Sequence, residues 1–158
     1  MGLGLCADCT SLKADGDNLV MYRPALSGSV LAKIVSLTKP AMATVRTAKT
    51  GESIVVTAGW GAKENLDAVR RFAEKLDARL GASRKMVDMG LMPYELQVGL
   101  TGRKVCPKVY IAVGVSGAVH HIAGMDNAGT VIAINPDKNA PIFDYADYGI
   151  LADAEELK

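Results

Sequence analysis

Aromatic side chains, an excess of either charge and long apolar runs are all scarce in this sequence, and each shortage excludes something. Of 158 residues, 18 are Lys or Arg and 17 are Asp or Glu, a formal net charge of +1. Nucleic-acid and membrane-surface partners need clustered cations, so neither is expected. No apolar run approaches the ~20 residues of a membrane helix, and residues 1–10 lack the basic and apolar regions of a secretory leader, so no membrane insertion is expected. Cysteine is limited to three residues, an odd number, and no N-x-S/T acceptor occurs, which favours a reducing cytoplasm. Aromatics are 5% of the chain against 49% hydrophobic residues and 16 glycines. That balance suits one tightly packed α/β core with sharp turns.

Two rhythms run along the chain. In the first third, short strands at residues 11–14 and 19–22 flank Asp15-Gly16-Asp17-Asn18, whose Asp-Gly suits a hairpin. Residues 30–37 and 42–47 continue as strands after Ser27-Gly28-Ser29 and Thr38-Lys39-Pro40. This predicts an antiparallel β segment over residues 1–50, ending in a polar joint at 48–52, and a second unit over residues 51–158. From residue 54 onward, apolar strands alternate with turns and helical stretches. Residues 54–58, 109–113, 130–134 and 148–151 read as strands of a parallel sheet. Leu66, Val69, Ala73, Leu76 and Leu80 recur at helical spacing, which predicts a helix over 63–80 closed by Gly81. Ligands of such sheets bind at the carboxyl ends of the strands, so functional residues are expected just after Ala58, Val113 and Ile134.

Gly114-Val115-Ser116-Gly117 follows a strand and opens a helix, as phosphate-binding turns do, although the full G-x-G-x-x-G is absent. A tight turn is the equal alternative. A nucleophile elbow is excluded because position 118 is Ala and no acid completes a triad. His120 and His121 point about 100° apart on a helix and cannot share a metal. Cys6 and Cys9 form C-x-x-C without a second pair, so neither zinc nor thioredoxin chemistry is indicated, and buried thiols are the default. Arg84 and Asn135 read singly as a surface charge and a turn residue.

Considered together, a series of blocks in order resembles the C-terminal FAD-binding domain of the electron transfer flavoprotein alpha subunit. The blocks include Gly81-Ala82-Ser83-Arg84, Gln97-Val98-Gly99-Leu100-Thr101-Gly102, Tyr110 to Ala118, His121-Ile122-Ala123-Gly124-Met125, Ala133-Ile134-Asn135 and Ala146-Asp147-Tyr148-Gly149. Ala7-Asp8-Cys9-Thr10, Arg23-Pro24-Ala25 and Met42 to Arg46 resemble the end of that subunit's first domain. The resemblance implies a three-layer, Rossmann-like parallel-sheet fold of the deoxyhypusine-synthase type, with FAD as cofactor. It implies an electron carrier, without a substrate of its own, that passes single electrons between protein partners. Arg84 then lies against the flavin ring, Thr101 near N5 and O4, and His121 near O2. Ser83 and Ser116, with the stretches Val98, Gly99, Leu100, Thr101 and Gly117, Ala118, Val119, His120, His121, cradle the pyrophosphate and ribityl chain. Asn135 and Asp147, beside Tyr148, hold the AMP portion.

Departures accompany the likeness. Gly59-Trp60-Gly61 has Trp where the family usually has Arg, which removes one contact and offers a ring for stacking. Leu100 replaces a glutamine. Most of the first domain, which joins the beta subunit in the family, has no counterpart. A beta-type subunit or another redox protein is the expected partner, and a homodimer would cover an unmet apolar face. The alternative is a non-redox AMP- or ADP-binding or assembly module that keeps the fold.

Overall fold

The computed structural model describes residues 4–25, 30–45 and 53–157. The chain divides into two compact units, Met1–Thr47 and Ala48–Lys158. Arg46, the 48–52 joint and Ser27-Gly28-Ser29 lie outside the described residues.

In the first unit, β2 (Ser11–Asp15), β3 (Asn18–Ala25) and β4 (Val30–Val35) form an antiparallel meander. Gly16, at φ 56°, takes the first of two turn positions between paired Asp15 and Asn18. The central pair is thus Gly16-Asp17, with glycine in the first position as a type II′ turn requires, and Asp15 of the expected Asp-Gly pair closes the strand instead. The segment is not wholly antiparallel, however. β1 (Leu5–Cys9), absent from the sequence reading, pairs parallel with β5 (Met42–Val45). Alternation within a short strand does not encode the direction of its partner.

In the second unit, β6 (Ile54–Ala58), β7 (Arg79–Ala82), β8 (Val109–Val113), β9 (Thr130–Ile134) and β10 (Tyr148–Ile150) make one parallel sheet. Its spatial order is β10-β9-β8-β6-β7. Val56, Val69, Ile111 and Val113 belong to the core cluster on one side of the sheet, with α1 (Leu66–Lys75), and Val55, Tyr110, Ala112 and Ile122 to that on the other, with α3 (Val119–Ile122). Burial on both faces explains why these strands are uninterrupted apolar runs. The fold is α/β and Rossmann-like, as expected.

The helix expected over 63–80 is shorter. Residues Trp60–Asn65 form 3-10 turns, and α1 ends at Lys75. The N–H of Ala78 donates to the Ala73 carbonyl and that of Asp77 to Glu74, closing a Schellman motif in which Asp77, at φ 48°, is the left-handed residue. Leu80 and Gly81 therefore belong to β7. Periodicity carried the helix too far because Leu80 continues the apolar spacing while pairing with Val56 in the sheet. Gly81 is required there for another reason: a Cβ would meet Thr57 Oγ1 at 2.6 Å. Replacing Asp77 by Gly relieves a left-handed L-residue and stabilises this unit by up to about 1 kcal/mol, read as a raised unfolding midpoint. An unchanged or lowered midpoint would show that Asp77 carries no strain.

The sheet reverses its direction of growth between β6 and β8, where the chain leaves first toward β7 and afterwards toward β9. Ligands of open parallel sheets gather outside such a switch point. Here Gly59 N–H donates to Val113 O and Gly61 N–H to Gly114 O, at 2.7 and 2.9 Å. A Cβ on Gly59 would meet Gly114 O at 2.2 Å. Glycine packed on glycine thus closes the crevice itself, and open space is displaced toward the ends of β7 and β8.

Candidate functional site

A cavity of about 410 Å³ occupies that position. Small-molecule and cofactor sites span roughly 300–1,000 Å³. Its walls come from the turn after β6, the start of α2 (Arg84–Asp88), the 97–101 loop and the turn from β8 into α3. Of the residues expected from sequence, Ser83, Arg84, Val98, Gly99, Leu100, Thr101, Ser116, Ala118, His120 and His121 are brought together here. Gly117, Val119, Asn135, Asp147 and Tyr148 do not line it.

Each wall is held by the local fold. Ser83 N–H donates to Ala58 O and Val98 N–H to Ala82 O, fixing the ends of β6 and β7 to the 97–101 loop. Leu100 N–H donates to His120 O at 2.7 Å, and Gly99 N–H to Arg103 O. Expected donors at Val98, Gly99 and Leu100 are therefore spent within the protein. The N–H groups of Ser116, Gly117, Ala118 and Val119 have no partner among the described residues. Of the two stretches expected to cradle phosphate, this turn offers four such amides, whereas the 98–101 stretch keeps only that of Thr101 without a partner among the described residues. Gly117 serves it through conformation: φ is 93°, and a Cβ would meet Ile142 N at 2.2 Å.

Three side chains define the polar character. His121 is buried, and its Nε2 lies 2.9 Å from the hydroxyl of fully buried Tyr110. Burial lowers the imidazole pKa to about 4, which the nearby Val98 backbone only partly offsets. The ring is neutral at pH 7, so it contributes a hydrogen bond rather than a charge. Burial likewise pushes the Tyr110 phenol up, keeping it protonated and able to donate to Nε2. Such a bond leaves the imidazole proton on Nδ1. Nδ1 makes no hydrogen bond of good geometry among the described residues, its contact being a weak one with the Val98 backbone, and Ser83 Oγ has no partner there at all.

Thr101 is oriented by Gln97, a buried amide whose Nε2 donates to the threonine oxygen at 3.0 Å. The Thr101 hydroxyl proton is left for another acceptor. In the sequence Gln97 stands only as part of a block, and nothing local marks it as a glutamine that becomes buried. Arg84 pairs with Asp88 at 3.2 Å, an exposed i,i+4 contact of little energetic weight. Asp88 and Lys85, neither foreseen, line the same wall. Trp60 lines it too, with Lys85 Nζ 4.2 Å and Lys63 Nζ 5.6 Å from the ring centroid. Its π-surface is engaged by cations.

Asn135 takes a different place from the one expected. It is buried, donates to Val115 O at 2.9 Å and accepts from Asp137 N–H at 2.9 Å. It braces the turn after β8 and does not line the cavity. Asp147 accepts from Val131 N–H at 2.8 Å, and Tyr148 is exposed.

Comparison with known proteins agrees with the resemblance. A family model described as the electron transfer flavoprotein FAD-binding domain matches residues 50–126, and one described as the electron transfer flavoprotein domain matches residues 1–64. The chain is 52% identical over 106 residues to a mitochondrial electron transfer flavoprotein subunit alpha of Oryza sativa subsp. indica, covering 66% of this chain and 30% of that one. It is 37% identical over 199 residues to protein FixB of Rhizobium meliloti (strain 1021), covering 96% of this chain and 56% of the relative. FixB of Azotobacter vinelandii is 38% identical over 203 residues, covering 98% and 56%. Both alignments exceed 158 positions, so these relatives carry internal residues without a counterpart here. The chain spans little more than half the length of these two FixB relatives and less than a third of the Oryza subunit.

Proposed function

We propose a function from the premise that this chain belongs to the electron transfer flavoprotein alpha family, whose two matched models together span residues 1–126: it binds FAD in the cavity of the second unit and carries single electrons between protein partners. One observation bears most of the weight. Ser83 Oγ, without a partner among the described residues, and His121 Nδ1, held only weakly by the Val98 backbone, are buried polar atoms of residues lining one cofactor-sized cavity. Buried polar atoms are nearly always satisfied, so under-satisfied ones on residues of a cavity wall support a polar ligand that those side chains would turn to meet. The carbonyls and ring nitrogens of a flavin, with its hydroxylated side chain, are of the required chemistry.

Bound FAD supplies the reversible electron uptake. The chain's own residues orient it and set its electrostatics. Arg84 places a guanidinium at the cavity, where positive charge favours a reduced, more negative ligand. His121 offers a neutral Nδ1–H, and Thr101 offers a hydroxyl proton because Gln97 occupies its oxygen. The free amides of residues 116–119 receive the pyrophosphate. Asp147 and Tyr148 flank the AMP portion, while Asn135 acts through the turn it braces. The partner is a beta-type subunit or another redox protein, a homodimer being the form without one. Three free cysteines fit a reducing compartment, and cytoplasmic localisation belongs to the same reading. No helix among the described residues is long and apolar enough to cross a membrane.

Adding FAD to the protein stripped of ligand tests this. At 100 times Kd, specific binding raises stability by about 2.7 kcal/mol, seen as an upward shift in Tm. Thr101→Val, which removes one donor, weakens binding roughly tenfold. A Tm indifferent to excess FAD overturns the reading. An equal shift with ADP transfers support to the non-redox nucleotide module.

A further inference from the structure

The first unit contains a second chemical feature, built from residues that the flavin site does not use. Cys6 and Cys9 are both free and buried, and their sulfurs lie 3.5 Å apart. That proximity is not what a strand provides. Residues three apart on a regular strand project from opposite faces. Here the chain breaks the alternation between them: Asp8 takes φ 66°, and the register of β1 against β5 shifts between Cys6 and Cys9. Asp tolerates the left-handed region better than most L-residues, at a cost still on the order of 1 kcal/mol. Its result is to turn Cys9 back onto the face of Cys6, where both pack with Met21 in one cluster.

Access differs between the two. Cys6 lines a groove of about 370 Å³, together with Met21, Arg23 and Leu37, whereas Cys9 is fully enclosed and does not line it. Arg23 is the only cation among the groove's described lining residues. Cys9 donates toward both Cys6 Sγ and Cys6 O. Burial holds the Cys9 thiol above its usual range, and contact with Cys6 adds to that. Cys9 is thus the protonated inner member and Cys6 the outer one. Joining them needs a sulfur–sulfur approach of roughly 1.5 Å, to the bond length of about 2.05 Å.

We propose that Cys6 and Cys9 are a two-electron dithiol site, which a hydroperoxide entering by the groove oxidises to an intramolecular disulfide. Cys6, as thiolate, attacks one peroxide oxygen; an S–O bond forms and the O–O bond breaks. The released oxygen leaves as alcohol or water after taking a proton. Cys6 is then a sulfenic acid. The Cys9 sulfur attacks Cys6 sulfur, the S–S bond forms, the S–O bond breaks, and hydroxide departs as water with the Cys9 proton. Two thiols have lost two electrons and the peroxide has gained them.

Hydrogen peroxide on the folded chain is the probe. The titre of free thiols, counted after unfolding, falls by two through a bond within one chain, and dithiothreitol restores it. In the Cys106→Ser variant it falls from two to zero and the mass drops by two hydrogen atoms. With Cys9→Ser added, oxidation stops at a sulfenic acid on Cys6 that dimedone traps, an adduct that does not accumulate when Cys9 is present. Retention of both thiols at peroxide levels that oxidise N-acetylcysteine overturns the proposal and leaves two sulfurs merely packed together. Disulfides formed only between chains, or over-oxidation of Cys6 with Cys9 intact, overturn it equally. The parent chain alone decides the matter should either variant fail to fold.

Discussion

Gly114→Ala lowers the unfolding temperature of the Ala48–Lys158 unit by roughly 10 °C. Two effects combine. Gly114 sits at φ 63°, where an L-residue costs about 1–2 kcal/mol. Its Cβ would also meet Ala62 N at 2.4 Å and Gly61 C at 2.7 Å, and both are backbone atoms that no rotamer change can move. Overpacking of this kind costs a further ~1–3 kcal/mol. A total near 3 kcal/mol corresponds to roughly 10 °C at the ~4 °C per kcal/mol that suits a unit between the small and large size classes. Gly90 is the internal control, with φ 72° and nothing within 4 Å of its Cβ position. Gly90→Ala keeps the strain and lacks the clash, so it loses about 1 kcal/mol. Equal losses for the two variants would mean that close packing at the β6–β8 switch point contributes nothing.

Acid destabilises the second unit through His121. The folded imidazole has a pKa of about 4, against an unfolded value near 6.5. Above pH 6.5 both states are neutral at this ring and stability is complete. As pH falls below 6.5 the unfolded chain takes up a proton that the folded chain refuses, so stability declines until the folded pKa is reached. The loss over that window is about 3 kcal/mol. Urea unfolding of the ligand-free protein at pH 7 and pH 4.5 measures most of it. His121→Gln removes the titrating group, and its unfolding free energy varies much less over the same interval. An identical slope in parent and variant, or an NMR titration placing His121 near 6.5, would refute a neutral buried ring. The same titration bears on the flavin proposal, because a neutral ring at pH 7 orients a ligand without adding charge to it.

The legibility of this protein varied with the range over which a residue acts. β6, β8 and β9 were readable to the residue, since strands covered on both faces are continuous apolar runs ended by glycine or polar turns. β7 was not, because Leu80 serves helical periodicity and sheet pairing equally well. Ser83, Arg84, Thr101 and His121 were found through a shared pattern of short blocks. Chain order also suggested Asn135 for the ligand, yet its amide is committed to Val115 and Asp137. Gln97 and Lys85 were passed over because nothing local distinguishes a buried glutamine, or a lysine laid on an indole, from exposed ones.

The sequence by itself determined the composition-bound facts: an α/β chain with apolar parallel strands, no charge surplus and no long apolar span, carrying the blocks of a flavin-binding family. Tertiary structure alone decided which of those blocks meet. It brought the ends of β6, β7 and β8 around one cavity and left Asp147 and Tyr148 off its wall. It placed Tyr110 against His121, and through Asp8 it turned Cys9 toward Cys6. The reason is physical. Backbone preference and hydrophobic period act over a few residues and are written locally, whereas burial, hydrogen-bond partnership and the resulting protonation states depend on neighbours that come from distant parts of the chain.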